Sequence, residues 1–374
     1  QKSPLSREDT MFALMQIDAR QRLKDKLPTI LEKQEFVFPS RISTEQASSE
    51  VTAKLKATIL NGIDNIRNSA DLTGGLGIDT IFMARRSQKH HYVEINPEHA
   101  KAAENNLPLF LDNVIVHNTD AESFLKETDE MFDFIYADPA RRSESNGKVF
   151  RLEDCTPNIL ELKSLIMSES KWLIVKLSPM LDLTQAIEKL GAEKAIIVSV
   201  NDECKEMIIV CGHSCDKKCA IEAIEINKKG TYQESFNDSE STDTLYGLPE
   251  AGMTLYEPYA AMMKAGKFKE LAARYGMKII APSSHLFFTD IKPASRTGGN
   301  KGFPGREFII REVAAFTKKS IKDIRKANIT TRNFPMSVAE IRKRFSISDG
   351  GDLYLFLTTD KDGKKIIIHC EKIR

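Results

Sequence analysis

Ala70-Asp71-Leu72-Thr73-Gly74-Gly75-Leu76-Gly77-Ile78-Asp79-Thr80 reads as a strand ending in an acid, then a glycine turn, then the start of a helix. Glycines let backbone approach a bound molecule closely, and a helix start offers N–H groups that no intrahelical carbonyl uses. A carboxylate at Asp71 attracts a cation and repels a pyrophosphate. The dinucleotide fingerprint G-x-G-x-x-G, begun at Gly75 and Gly77, meets Thr80 where its third glycine belongs, which weakens the case for a nicotinamide cofactor.

Working outward, Glu94 follows Gly74 by twenty residues and closes the next apolar run, where a carboxylate can accept from both hydroxyls of a ribose. After the third run, Asp120 with Ala121 offers a carboxylate and an amide to the edge of an adenine. Three acids in this order describe a pocket for S-adenosyl-L-methionine. The expected cofactor-binding residues are Asp71, Thr73, Gly74, Gly75, Gly77, Asp79, Thr80, Glu94, Ile95, Asp120, Ala121 and Asp138.

Seven short apolar runs punctuate the region: 69–73, 90–95, 113–117, 132–138, 172–177, 194–200 and 205–211, with amphipathic stretches between most of them. That alternation predicts βα units feeding a parallel sheet. Only Asn201 and Asp202 with a few neighbours separate the last two runs, too few for a crossover, so these form an antiparallel hairpin. The expected fold class is α/β, a Rossmann-like seven-stranded sheet of the class I methyltransferase type. Residues 1–66 read as a helical segment, with Phe12, Met15, Ala19 and Leu23 at helix spacing and a second run from Ser43. Residues 67–217 form the cofactor domain, 218–304 an α+β unit and 305–374 a basic end. Within them, 229–247 reads as a polar hairpin tip or linker, 258–275 as helix, 277–281 and 285–288 as strands, and 295–305 as a glycine-rich loop. Helices are expected at 307–317 and 337–345, and strands at 353–358 and 365–369.

The fourth run ends in Asp138-Pro139-Ala140-Arg141-Arg142, at the sheet edge where open α/β folds bind substrates. This sequence is similar to the Asp-Pro-Pro-aromatic motif of amino-directed nucleic-acid methyltransferases, in which the acid and a carbonyl accept from the target amine. Asp138, Pro139 and Arg141 are the expected catalytic residues. Ala140 and Arg141 replace the second proline and the aromatic ring, so base stacking falls to a guanidinium plane or to another element. Lys176-Leu177-Ser178-Pro179 points to the same edge.

In 374 residues the formal charge is only +1, yet from Gly305 onward sixteen Lys and Arg face nine Asp and Glu. A polyanion is the expected partner of that end, with Arg141, Arg142, Lys318, Lys319, Lys322, Arg325, Lys326, Arg332, Arg342, Lys343 and Arg344 as RNA-binding residues. Six scattered cysteines are too few for a disulfide frame, and the absence of a long apolar run or signal-like start points to the cytoplasm. Cys211, His213, Cys215 and Cys219 have a spacing that matches no structural zinc pattern, and no metal is expected. His90 and His91 read as structural.

With these residues in place, the chain resembles the bacterial THUMP-like-domain class I methyltransferases. The likeness covers nearly the whole length and rests on Glu45-Gln46-Ala47-Ser48-Ser49-Glu50-Val51-Thr52-Ala53, on Asp71 to Gly77 and on Asp138 to Arg142. It implies a ferredoxin-like unit opening at Tyr256-Glu257-Pro258 and a THUMP-like end marked by Arg332-Asn333-Phe334-Pro335 and Glu340-Ile341-Arg342. By analogy it also implies an RNA substrate, transfer or ribosomal. Methylation of a protein or small molecule, and a non-catalytic RNA-binding protein that retains the fold, stand as alternatives. Monomer and homodimer remain equally open.

Overall fold

Phe134–Ala137 is buried at every position and Leu173–Leu177 at all but Lys176, as strands covered by helices on both faces must be. The computed structural model describes residues 6–141, 151–214, 218–237, 244–290 and 302–373. Its first sheet contains β1 (Asn68–Asp71), β2 (Lys89–Val93), β3 (Val114–His117), β4 (Phe134–Ala137), β5 (Leu173–Leu177), β6 (Lys194–Val200), β7 (Glu203–Cys211), β8 (Ala220–Asn227) and β9 (Gly230–Phe236). The order is β9-β8-β6-β7-β5-β4-β1-β2-β3. Strands β1 to β5 pair in parallel and β7 runs antiparallel to β5, which is the class I methyltransferase arrangement. The tight turn between β6 and β7 holds both Asn201 and Asp202 at positive φ, residues that tolerate it.

Nine strands replace the expected seven: β8 lies in a stretch for which no strand was expected, and the segment read as a hairpin tip or linker from Lys229 is in part strand β9. β9 pairs antiparallel with β8 and alternates cleanly, with Tyr232, Glu234 and Phe236 buried. An acid on the inward face disguised the pattern. Glu234 is tolerated there because Arg274 and the Tyr275 hydroxyl satisfy it.

The chain divides into two compact units, one comprising residues up to Ala195 with Met207–Cys219, the other Ile196–Glu206 with Ala220 onward. In the first, the N-terminal helices α1 (Arg7–Leu23), α2 (Arg41–Gln46) and α3 (Glu50–Ile59) are not a separate body. Leu23, Leu27, Phe36, Phe38 and Ala53 share one core with Ile78, Phe82 and Leu107 from around α4 (Ile78–Met83) and α5 (Pro97–Asn106). Buried Glu50 fastens the α1–α3 connection by accepting from the amides of Thr29 and Ile30. The helices α6 (Ala121–Glu127), α7 (Ile159–Glu169) and α8 (Leu183–Leu190) complete the βα units.

The second unit carries a seven-stranded sheet. Its elements are β10 (Thr254–Pro258), α9 (Ala260–Ala265), α10 (Phe268–Tyr275), β11 (Lys278–Ile279), β12 (Phe287–Thr289), β13 (Gly305–Ala315), α11 (Lys318–Ile321), β14 (Asn328–Arg332), α12 (Val338–Phe345), β15 (Leu353–Thr359) and β16 (Lys365–Lys372), with strand order β11-β12-β10-β13-β16-β15-β14. The helix expected over 307–317 is strand β13, whose Phe308 and Ile310 pack into the sheet's core. β-branched Ile309, Ile310 and Val313 and two paired neighbours outweighed the helix-like spacing of its charges. Strand β10 pairs with β13, so the anticipated division at residue 304 runs through one continuous sheet. The helix expected over 258–275 breaks at Gly266, where φ is +70°.

Candidate active site

Asp71 ends β1 inside the protein. One carboxylate oxygen accepts from Thr73 N at 2.9 Å and Thr73 Oγ1 at 3.2 Å, the other from Thr80 Oγ1 at 2.7 Å. Burial pushes its carboxyl up to about 7; the Thr80 and Thr73 hydrogen bonds oppose that rise, while the charges of Asp79 and Asp138 add to it. A buried acid balanced in this way gains from any cation brought alongside.

The glycine turn is held from below. Gly74 N donates to Val93 O at 3.0 Å, and the Tyr92 hydroxyl donates to Gly75 O at 2.6 Å. A Cβ at residue 74 would sit 2.2 Å from Tyr92 ring atoms, so only glycine fits. At Gly75, with φ +58°, a Cβ would meet only Thr73 O at 3.6 Å, leaving its other side open for a molecule to approach. Glu94 is buried after β2 and spans the turn: one oxygen accepts from Gly75 N at 2.8 Å, the other from Asn96 N at 2.8 Å. The next residue, Ile95, is 70% exposed, an apolar side chain left in water beside an anchored acid.

Asp120 caps α6 by accepting from Ser123 N at 2.9 Å and Ser123 Oγ at 2.7 Å, and those bonds hold its carboxyl below the usual range. Ala121 is the first residue of that helix, so its amide lies among those the helix itself cannot satisfy. Asp138, just past β4, donates its N–H to Thr73 Oγ1 at 2.6 Å, which ties the catalytic-loop candidate to the glycine turn. Its carboxylate pairs with Lys176 Nζ from β5. Pro139 is buried, Ala140 is exposed, and Ala140–Arg141 forms a two-residue ribbon with Cys155–Thr156. Arg142 lies outside the described residues.

Asp79 and Thr80 are placed differently from the glycines they follow. Thr80 supports Asp71, and Asp79 pairs with Lys56 at 3.0 Å while accepting from Ser48 Oγ at 2.8 Å and Tyr136 OH at 2.7 Å. Burial penalises the Asp79 carboxylate, but Lys56 and Lys176 overcome that and hold it ionised. Sequence reasoning missed Ser48 and Lys56. The only trace was the 45–53 stretch, where Ser48 stood in a shared motif without a chemical role.

A solved structure from Porphyromonas gingivalis W83, described as a provisional methyltransferase, shares 31% identity over 100% of this chain and 93% of that one, with a TM-score of 0.85. A THUMP domain-like family matches residues 305–372 and a ferredoxin-like domain family residues 255–294. The chain belongs to the THUMP-like-domain class I methyltransferase family. Among more distant structures, a provisional RNA methyltransferase of Pyrococcus horikoshii aligns over 46% of this chain and 90% of its own at 13% identity and TM-score 0.35. A provisional O-methyltransferase of Klebsiella pneumoniae aligns over 55% and 100% at 14% and 0.37; both are too remote to speak for a substrate. No curated protein matches with significance.

In this family member the cations of the THUMP-like end fall into two groups. Arg332 donates to buried Glu257 at 2.8 Å beside Arg306, and Arg342 pairs with Asp349 and donates to Ala327 O and Ile347 O, so both hold the unit together. Lys318, Lys319, Lys322, Arg325, Lys326, Lys343 and Arg344 are exposed. Of the cysteine cluster, Cys215 lies outside the described residues, Cys211 Sγ is directed at Leu190 O, and the His213 ring bonds Ser170 O. Among the described residues no three metal-type ligands gather, and no helix is long and apolar enough to cross a membrane. His90 and His91 are buried, and desolvation pushes them down to about 3 and about 4.

Proposed function

We propose that the chain is an S-adenosylmethionine-dependent methyltransferase acting on a base of RNA, transfer or ribosomal. The hydrogen bond from Gly75 N to Glu94, with exposed Ile95 beside it, carries the cofactor reading. The residues fit that molecule. Asp71 has the buried, cation-deficient carboxylate that an ammonium satisfies, Glu94 retains acceptor capacity for two ribose hydroxyls, Ile95 offers an apolar face to a purine, and Asp120 with the Ala121 amide suits an adenine edge. The bound sulfonium supplies an already activated methyl group. The protein therefore has to align the acceptor and take a proton, and Asp138 is the acid in position to do both.

The RNA reading is supported by the exposed cations of residues 318–344 and by the THUMP-like match. Calorimetry with S-adenosylmethionine on the wild type and Glu94→Ala tests the cofactor; absence of binding to the wild type sinks the enzyme reading. Labelled methyl transfer to total RNA against total protein tests the substrate. Label appearing in protein alone moves the substrate away from RNA.

A further inference from the structure

Ser48 Oγ lies at the centre of a chain of charges that starts in the N-terminal helices and ends at the catalytic-loop acid. It donates to Asp79 Oδ2 at 2.8 Å and accepts from Lys56 Nζ at 3.4 Å and from Lys176 Nζ at 3.3 Å. One donor and two acceptor sites are all a hydroxyl has, so Ser48 is saturated. Lys56 is fully buried, and its ammonium is neutralised by Asp79 at 3.0 Å. The Lys176 side chain is only 15% exposed, and its ammonium bonds Asp138 Oδ2.

We propose, resting on the methyltransferase reading above, that Lys176 and Ser48 are positioning residues: they clamp one oxygen of Asp138 so that the other faces the amine to be methylated. Three observations carry this. The Asp138 backbone is already pinned by Thr73 Oγ1, which leaves rotation of the side chain as its remaining freedom. Among the described residues the only hydrogen bond to its carboxylate comes from Lys176, and goes to Oδ2. Lys176 in turn is steered by a residue of the segment between α2 and α3, which ties the N-terminal segment to the acid of the active site. The helices ahead of the sheet therefore complete the centre as well as its core.

The charges around Asp138 fix what removal of the ammonium does. Asp71 faces it from β1, Lys176 from β5 and the Cys155 thiol from the adjoining ribbon, with Asp79 and Lys56 one hydroxyl further away. Among the described residues Lys176 is the cation in direct contact, so its loss leaves the Asp138 carboxylate beside like charge with no bond holding its side chain.

The test is the carbon-13 NMR carboxyl resonance of Asp138 at fixed pH, assigned with Asp138→Asn, in the wild type, K176M, K176R and S48A, alongside S-adenosylmethionine calorimetry and methyl transfer to total RNA. The Asp138 resonance is expected to move in K176M, to return to the wild-type position in K176R and to lie between in S48A. In K176M kcat is expected to fall about a hundredfold, as for a misplaced reacting group, with cofactor affinity unchanged and kcat restored in K176R. K176Q serves if K176M fails to fold. An unmoved Asp138 resonance, or a lowered Tm with kcat unchanged, overturns the proposal. If the wild type transfers no methyl to RNA or protein, the functional reading fails, and the carboxyl resonance alone still decides whether Lys176 and Ser48 hold Asp138.

Discussion

Asp71 and Lys56 show how single buried charges set both stability and binding. The Asp71 carboxyl titrates at about 7 in the folded chain against 3.8 ordinarily, because burial outweighs its hydrogen bonds. Between those pH values the folded chain keeps a proton that the unfolded chain has lost, so this group's contribution to stability declines as pH rises from about 4 to 7. Binding of an ammonium needs the ionised form, so S-adenosylmethionine affinity is expected to strengthen as pH rises through 7. Asp71→Asn should flatten the stability profile and abolish cofactor binding; calorimetry from pH 6 to 8 checks both forms, and a flat wild-type affinity contradicts the assignment. Lys56→Met takes the direct ion-pair partner from the buried Asp79 carboxylate, leaving Lys176 as the nearby cation, and is expected to cost about 3 kcal/mol by denaturant unfolding. Adding Asp79→Asn should recover part of that loss, since the buried charge is gone.

At the scale of the element, the turn between β1 and α4 is shaped by contact beneath it as much as by its own torsions. Gly74 is packed on the Tyr92 ring, and a methyl group there has nowhere to go, since Tyr92 is itself fully buried and bonded to Gly75 O. Gly74→Ala is expected to displace the turn and weaken S-adenosylmethionine binding at least about tenfold, measured by calorimetry, while the far-ultraviolet dichroism of the sheet persists. Wild-type affinity in this variant would show that the turn does not contact the cofactor. Elements with a simple burial pattern were legible in the chain: β1 to β7 follow runs of apolar residues. Strands β9 and β13 were not, because inward Glu234 and the closely spaced Arg311 and Glu312 interrupt the alternation that a strand displays.

Across the whole molecule, the segment after residue 304 carries an excess of seven positive charges, and of its nine cations between Lys318 and Arg344 seven are exposed once Arg332 and Arg342, committed to Glu257 and Asp349, are set aside. Phosphate contacts release counterions, so each one lost lowers the slope of log affinity against log salt by roughly 0.7–0.9. Lys318→Glu, Lys319→Glu and Lys322→Glu together should weaken RNA binding, reduce that slope by about 2 and leave S-adenosylmethionine affinity unchanged. Filter binding to transfer RNA across a salt series measures it. An unchanged slope removes α11 from the RNA surface.

By itself the sequence determined the first seven strands with their closing hairpin, and it marked the glycine turn and the acids at positions 71, 94, 120 and 138 as candidates, because periodicity, glycine freedom and strand-end placement are local properties that neighbouring residues dictate. Tertiary structure alone decided that Ser48 and Lys56 meet Lys176 and Asp138, and that Arg332 serves Glu257. Those pairings join residues up to 128 positions apart in the chain. Burial strengthens such contacts, and which groups are buried together is settled only when the core closes.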